Sequence, residues 1–516
     1  MPAHITDQFR IINANNFVDS IQDSTKNYYT FLGFPDPTNT LVGGTATWSN
    51  NTPNPVDNFK NQNDYHDTML FFKKITITDV KRVIRRLNWT SGQTYDMYKP
   101  DVSASDVASV TGSTSLYESN FYVMNSDYRV YICLQNGTTP DNPNGKPSLD
   151  EPKFTDLQPR SAGPSGDGYI WKYLYTITPS DIIKFVTNQF IPVPNSWGTS
   201  DTEEVENAAI DGRIETVIIN NKGNSDYTPG VYTDIPILGD GTDGKVSIVV
   251  NASGQVSSVS VTSGGKNYTR GIINFDQYNV STLSSGTGAV LEVIIPPKGG
   301  HGKNIYRELG SLRVMINTVF DNNSAENSLD FITGNNFARI GIIYNPDTSD
   351  SVTNTGTSLG AIKVESTDPN TPISNTVYTE NTQIKQTVST GTTATAYVAS
   401  YDSANGIIKY YQPVGLARSD VAFDIADFTF DTGTGGSLLI TGETTGSSLR
   451  VANFTGSSET NAITGETVDF GRTFTRGISQ SEIETKYSGD IIYVENRAPV
   501  PRSPNQKEDI KIVLEF

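Results

Sequence analysis

The chain has 516 residues, more than one compact core usually holds, so two to four folded units are expected. Its apolar content, about 39% once glycine is counted and tyrosine left out, falls below the usual ~45–50%, and Ser, Thr, Asn and Gly fill the gap. Aromatic residues at 10% argue against disorder throughout, and a net charge of −18 argues against nucleic acid as a partner. One cysteine, Cys133, excludes a disulfide framework, and His4, His66 and His301 lie too far apart for a paired metal motif. No basic start leads into an apolar run and no stretch of about 18 apolar residues occurs, so neither a secretory signal nor a membrane span is expected.

Few segments read as helix. The first covers about 15–27, with Phe17, Val18 and Ile21 on one stripe. The second runs from Asp79 to Leu87 behind Thr78 as N-cap: Val80, Val83, Ile84 and Leu87 take one face and Lys81, Arg82, Arg85 and Arg86 the other. That basic face is the main positive cluster of an acidic chain, either a solvated surface or a docking surface for an acidic partner. A third helix opens at Thr178-Pro179.

Strand signals are stronger. In Tyr169–Ile177 the odd positions Tyr169, Trp171, Tyr173, Tyr175 and Ile177 are all large and apolar, a period of two suited to packing between layers. At the C-terminus Ile510, Ile512, Leu514 and Phe516 share a face, which ties the end of the chain into a sheet on a buried Phe516.

Between these lie two stretches of different character. In 206–297 a pattern repeats with an offset of 41 or 42 residues: Gly212 and the strand after it lead to Gly223, Tyr227, Thr228 and Gly230, as Gly254 leads to Gly264, Tyr268, Thr269 and Gly271. Each copy then reaches a Gly-Thr turn and another strand, Lys245–Val250 or Ala289–Ile295, so a duplicated small β unit is expected. The stretch 350–465 is rich in Thr, Ser and Gly. It carries a hairpin, Ala394–Tyr401 and Ile407–Tyr411 joined through Asn405-Gly406, and strands at Phe428–Phe430 and Ser437–Thr441.

No catalytic constellation is found. Gly163-Pro-Ser165-Gly166 lacks the nucleophile-elbow register. Gly299-Gly-His301-Gly-Lys303 lacks phosphate-loop spacing and reads as a flexible exit from the duplicated unit. Asp240-Gly-Thr-Asp243-Gly reads as a hairpin turn rather than a calcium loop. No metal, cofactor, small-molecule substrate or enzymatic activity is expected.

Three strings carry a family resemblance. They are Ile75-Thr-Ile-Thr-Asp-Val-Lys-Arg-Val-Ile-Arg-Arg-Leu-Asn-Trp89; Gly166-Asp167-Gly168-Tyr169-Ile-Trp171-Lys-Tyr-Leu-Tyr-Thr-Ile with Asn188–Pro194 after it; and Tyr487-Ser-Gly-Asp-Ile-Ile-Tyr493-Val-Glu495-Asn496-Arg497 running into Glu508–Phe516. In order and spacing they resemble the baseplate wedge subunit, gene product eight, of T4-like contractile-tailed bacteriophages. The start of the chain also fits, with Tyr29–Phe34 ahead of Trp48. The resemblance covers about 1–200, 298–346 and 466–516.

Gly166 and Gly168 permit a tight turn before the aromatic strand. Glu495-Asn496-Arg497 would close a turn at the end of a short strand, with Arg497 either bridging Glu495 or touching a neighbouring subunit. The expected fold is mainly β: a layered β-sandwich core (1–205, 298–349 and 466–516) with a few short helices and two inserted small β domains (206–297 and 350–465). The resemblance implies a homodimer that scaffolds other baseplate wedge proteins in the virion tail, assembled in the host cytoplasm. The alternative is a receptor- or carbohydrate-binding tail protein in which Tyr227 and Tyr268 of the inserted units stack on sugars.

Overall fold

The computed structural model describes residues 6–34, 52–275, 286–321, 336–349, 352, 354–368, 370–413, 422–423, 437–443, 446–460, 465–503 and 506–516. The strand expected at Phe428–Phe430 and Trp48 fall outside them. The protein is mainly β, with several sheets and a few short helices. The chain divides into two compact units, 1–18 with 80–315 and 512–516, and 19–79 with 316–511.

In the first unit, strands Tyr122–Met124, Arg129–Asn136 and Tyr169–Thr176 form an antiparallel sheet in which Cys133 pairs with Trp171. Both faces of the aromatic strand are used, since Tyr169, Trp171 and Tyr175 are buried and so are Lys172 and Leu174 opposite them. The core around it includes Tyr95, Tyr98, Phe121, Tyr131 and Ile191. Helix Pro179–Phe185 starts as its sequence predicts, with the Thr178 hydroxyl accepting from Asp181 N.

Two expected helices differ. The N-terminal one spans Asp7–Gln22, earlier than expected, and buries Ile11, Ala14 and Val18 at helical spacing. Residues 79–87 are not a helix: a single 3-10 turn, Ile77–Asp79, leads into strand Val80–Arg85, which pairs antiparallel with Phe190–Val193. The spacing of Val80, Val83 and Ile84 fits a helical stripe, but it also fits a strand buried on both sides, and β-branched side chains favour the strand. The Asp79 carboxylate closes the turn by accepting from Thr76 N. At the other end of the chain, Ile510 and Ile512 are buried as expected, while Phe516 is only half-buried, its ring centroid 5.5 Å from that of Phe17.

Also in this unit, the 206–297 stretch makes two small sheets over a core of its own that includes Ile214, Tyr227, Ile248 and Tyr268. The first copy supplies Thr216–Lys222, Gly230–Pro236, the two-residue Leu238–Gly239 and Thr242–Val250, and the second supplies Val256–Lys266, Gly271–Ile272 and Ala289–Ile294. The copies exchange strands. The first strand of copy one pairs with the last of copy two, and the first strand of copy two with the last of copy one; Gly230–Pro236 and Gly271–Ile272 each pair with their own copy's last strand, and Gly271–Ile272 also pairs with Leu238–Gly239 of copy one.

The second unit holds a five-stranded antiparallel sheet in the order Thr355–Gly356, Met69–Lys74, Tyr28–Gly33, Asn336–Tyr344, Asp490–Pro501. It also holds a seven-stranded sheet in the order Ile407–Tyr411, Thr392–Asp402, Gln383–Ser389, Leu439–Gly442, Ser448–Val451, Gly360–Glu365, Ile478–Ser479. The expected hairpin at 394–411 is present, and Ile407–Tyr411 pairs in addition with Gly360–Lys363. That pairing closes six strands into a barrel filled by Ile362, Ile384, Ala396, Val398, Ile408, Ile440 and Leu449.

Candidate functional sites

Gly166 and Gly168 both adopt left-handed φ (70° and 88°), as the turn before the aromatic strand requires. At Gly168 a side chain would also strike the backbone of Gly137. The carboxylate between them is a structural clamp. Asp167 accepts from Leu149 N at 2.9 Å and from Tyr169 N at 3.0 Å. The Tyr169 hydroxyl donates to Lys146 O and accepts from Tyr95 N. Its ring lies 15° from parallel to that of Trp171, centroids 5.3 Å apart. The glycine-aspartate-aromatic string thus fastens two loops, one through Lys146 and Leu149 and one through Tyr95, to one strand, and the polar atoms of Asp167 and Tyr169 are spent on neighbouring backbone.

The C-terminal string is arranged differently from expectation. Strand Asp490–Pro501 continues through Glu495-Asn496-Arg497 and both prolines, so no turn closes there. Proline is tolerated because this strand lies at the edge of its sheet. Glu495 accepts from the Tyr493 hydroxyl and from Arg497 Nε, each at 2.8 Å. Burial and then that hydrogen-bonded carboxylate push the Tyr493 phenol up to about 12. Asn496 accepts from Nε of the buried Arg339.

The four basic residues at 81–86 do not form one face. Lys81 pairs with Asp181 at 3.0 Å. Arg82 is buried, donates to Asn15 Oδ1 at 2.6 Å, and lies over the Tyr306 ring. Arg85 donates to Ser119 O, and Arg86 to Thr187 O and Asn88 Oδ1.

Tyr227 and Tyr268 are buried, which removes them as platforms for a sugar. Each lies on the other repeat's glycine turn. A side chain at Gly286 would meet the Tyr227 ring, and one at Gly241 the Tyr268 ring. Each hydroxyl accepts from the other copy's last strand, at Ala289 N for Tyr227 and Gly244 N for Tyr268.

Two buried pairs gave no signal in the sequence because their members are far apart or in unlike contexts. Lys172 Nζ lies 3.1 Å from Glu215 Oε1 with both side chains over nine-tenths buried, joining the aromatic strand to the repeat unit. Thr216 and Ile218 follow on the same side: the Thr216 hydroxyl donates to Leu134 O, and Ile218 belongs to the main core. His301 Nδ1 lies 2.6 Å from Glu308 Oε1, and Gly302 N donates to the same carboxylate. The Gly299–Lys303 loop is therefore pinned, not a flexible exit, with Gly299 N also donating to Asp211.

Asp240 holds a turn by accepting from Thr269 and Arg270 N–H groups; the Thr269 hydrogen bonds bring its carboxyl down to about 2. Among the described residues no group of three or more His, Cys, Asp or Glu is placed to hold a metal ion, and no helix is long and apolar enough to cross a membrane. A cleft of about 1020 Å³ in the second unit is lined among others by Asp67, Arg472, Glu482 and Tyr487. Those groups bond one another or nearby backbone: Tyr487 donates to Asp67, Arg472 to Leu359 O, and Thr357 N to Glu482.

Residues 157–223 match the protein family described as Bacteriophage T4, Gp8. The matched stretch takes in the glycine-aspartate turn, the aromatic strand, helix Pro179–Phe185 and strand Thr216–Lys222. The chain is similar to that family over these residues. No curated protein gives a significant match.

Proposed function

We propose that this chain is a structural subunit of a contractile-tail phage baseplate, a wedge component that forms a homodimer and scaffolds neighbouring wedge proteins. The observation that carries the reading is the match of residues 157–223 to the T4 Gp8 family. The strings at 75–89 and 487–516, in the same order relative to it, support it from outside the matched stretch. The work assigned is mechanical, and no reaction, metal or cofactor is part of it. Subunits of this kind act through large, complementary interfaces, which let a few kcal/mol of coupling pass between neighbours. A rigid body suits that role, and the clamps at Asp167, Glu308 and Lys172–Glu215 hold the first unit's loops to its sheets.

The proposed site of action is the virion tail baseplate, with assembly in the host cytoplasm. Light scattering on the purified chain, alone and mixed with the other baseplate proteins of its phage, tests this. A dimer alone and a larger stoichiometric complex in the mixture are expected. A monomer that joins no complex would refute the proposal.

A further inference from the structure

In the second unit, His66 stands in the last turn of helix Phe59–Asp67 and is buried. Both of its ring nitrogens face backbone carbonyl oxygens. Nδ1 lies 2.9 Å from Gln62 O, one turn back on the same helix, and Nε2 lies 3.1 Å from Ser488 O, just ahead of strand Asp490–Pro501. A carbonyl oxygen only accepts, so each contact is a hydrogen bond only if that nitrogen carries a hydrogen. Neutral imidazole carries one and imidazolium two. In the neutral ring, one nitrogen lone pair would face a carbonyl oxygen in a site that water barely reaches. His301 makes no such demand, since a single N–H satisfies its bond to Glu308.

The surroundings suit a positive ring. Carbonyls at a helix C-terminus attract cations. The same helix carries Asp64 and Asp67, and the Asp67 side chain is buried. On the facing segment the Tyr487 ring stands edge-on to His66, centroids 5.9 Å apart, and its hydroxyl donates to Asp67 Oδ2 at 2.9 Å. Lys486 is a like charge, but its Nζ lies 3.3 Å from Asp67 Oδ1 and over the Tyr487 ring, and its side chain is largely in water. His66 also lines the cleft of about 1020 Å³, where Asp469, Glu482 and Glu484 outnumber Arg472. Asp347 stands behind the segment, its N–H donating to Ser488 Oγ and its carboxylate accepting from Thr485.

We infer that His66 is a proton-dependent clasp. As imidazolium it ties helix Phe59–Asp67 to segment 484–489, whose Glu484, Lys486 and Tyr487 form part of the cleft wall; when the ring gives up a proton, that wall loosens. Of the two ring bonds, the one to Gln62 is set within a single helix, so the one to Ser488, which spans two distant parts of the chain, is the one that opens. The segment it holds is bent, with left-handed φ at Tyr487 (64°) and Gly489 (81°). The Tyr487–Asp67 bond needs no proton on the ring, so the segment stays attached while its exchange with solvent quickens. The inference goes beyond the baseplate reading and does not rest on it.

The test uses the full chain with isotopically labelled histidine. Ring nitrogen shifts in NMR report which nitrogens carry hydrogen, and the His66 signals are the ones that vanish in His66→Gln. Hydrogen exchange of the 484–490 amides, corrected for its intrinsic pH dependence, is followed from about pH 5 to about pH 8, where imidazole charge changes. The expected result is two protonated nitrogens on His66 at the acid end. Exchange of the segment should then rise about tenfold or more with pH, the worth of one hydrogen bond from a charged donor, along the same curve as the ring. His66→Gln should abolish that step. Tyr487→Phe should raise exchange at every pH and keep the step, which separates the proton-dependent tie from the permanent one. A bare nitrogen on His66 at the acid end, or a step that survives in His66→Gln, would overturn the inference. So would exchange that rises as pH falls, the sign expected if protonation of Asp67 governed the segment.

Discussion

Lys172 Nζ meets Glu215 Oε1 at 3.1 Å where neither side chain touches bulk water appreciably, and the bond joins the aromatic strand to the first strand of the repeat unit. Removing one partner would strand the other charge in a dry site. Glu215→Ala is therefore expected to cost about 3–5 kcal/mol in urea denaturation, while Lys172→Met with Glu215→Leu should restore most of it. A single-mutant loss under about 1 kcal/mol would show that the site admits water.

The exchanged strands make the two repeats one folding unit. Gly286→Ala and Gly241→Ala would each push a methyl group into a tyrosine ring of the opposite copy. Each should cost about 1–3 kcal/mol, the range for overpacking a filled core. Both should destabilise strands of both copies together in hydrogen exchange. Exchange that rises in one copy alone would contradict the interlocked arrangement.

Arg82 is held inside the fold, so its loss should read as instability. Arg82→Ala is expected to cost about 1.5–3 kcal/mol through its bond to Asn15. Arg497→Ala, at an exposed pair with Glu495, should stay within about 1 kcal/mol. Equal, negligible effects in thermal melts would place Arg82 at the surface instead.

Asp240 gives a pH signature. Its folded-state carboxyl, lowered to about 2 by the Thr269 hydrogen bonds, titrates below an unfolded aspartate at about 4. A lowered folded value means that the stabilisation is complete above about pH 4 and disappears as pH falls through about 2. NMR titration of Asp240 should show that low midpoint, and Thr269→Ala should move it upward. A midpoint near 4 in the unaltered protein would refute the turn's role.

Local chemistry was legible in the sequence wherever one segment settled it. Thr178-Pro179 starts a helix, Gly166 and Gly168 turn, 394–411 is a hairpin, and the alternation from Tyr169 marks a strand. Val80–Leu87 misled because an apolar spacing that satisfies a helix also satisfies a strand covered on both sides, and only its pairing with Phe190–Val193 decides between them. The repeat was visible as a spacing, but a spacing does not say which copy's strands pair. Barrel closure between 360–363 and 407–410 and the bonds Lys172–Glu215 and His301–Glu308 depend on tertiary placement that periodicity does not encode. The match to the Gp8 family also runs through strand Thr216–Lys222, past the boundary at 206 read from the repeat, and that strand is the one packed on the aromatic sheet.

The most direct test of the central claim is a cryo-electron reconstruction of the phage particle carrying this chain, at a resolution that traces side chains. The account predicts two copies in each baseplate wedge, with the Gly166–Thr176 segment inside the fold. A particle whose baseplate lacks the chain, or holds it elsewhere in the virion, would contradict the account.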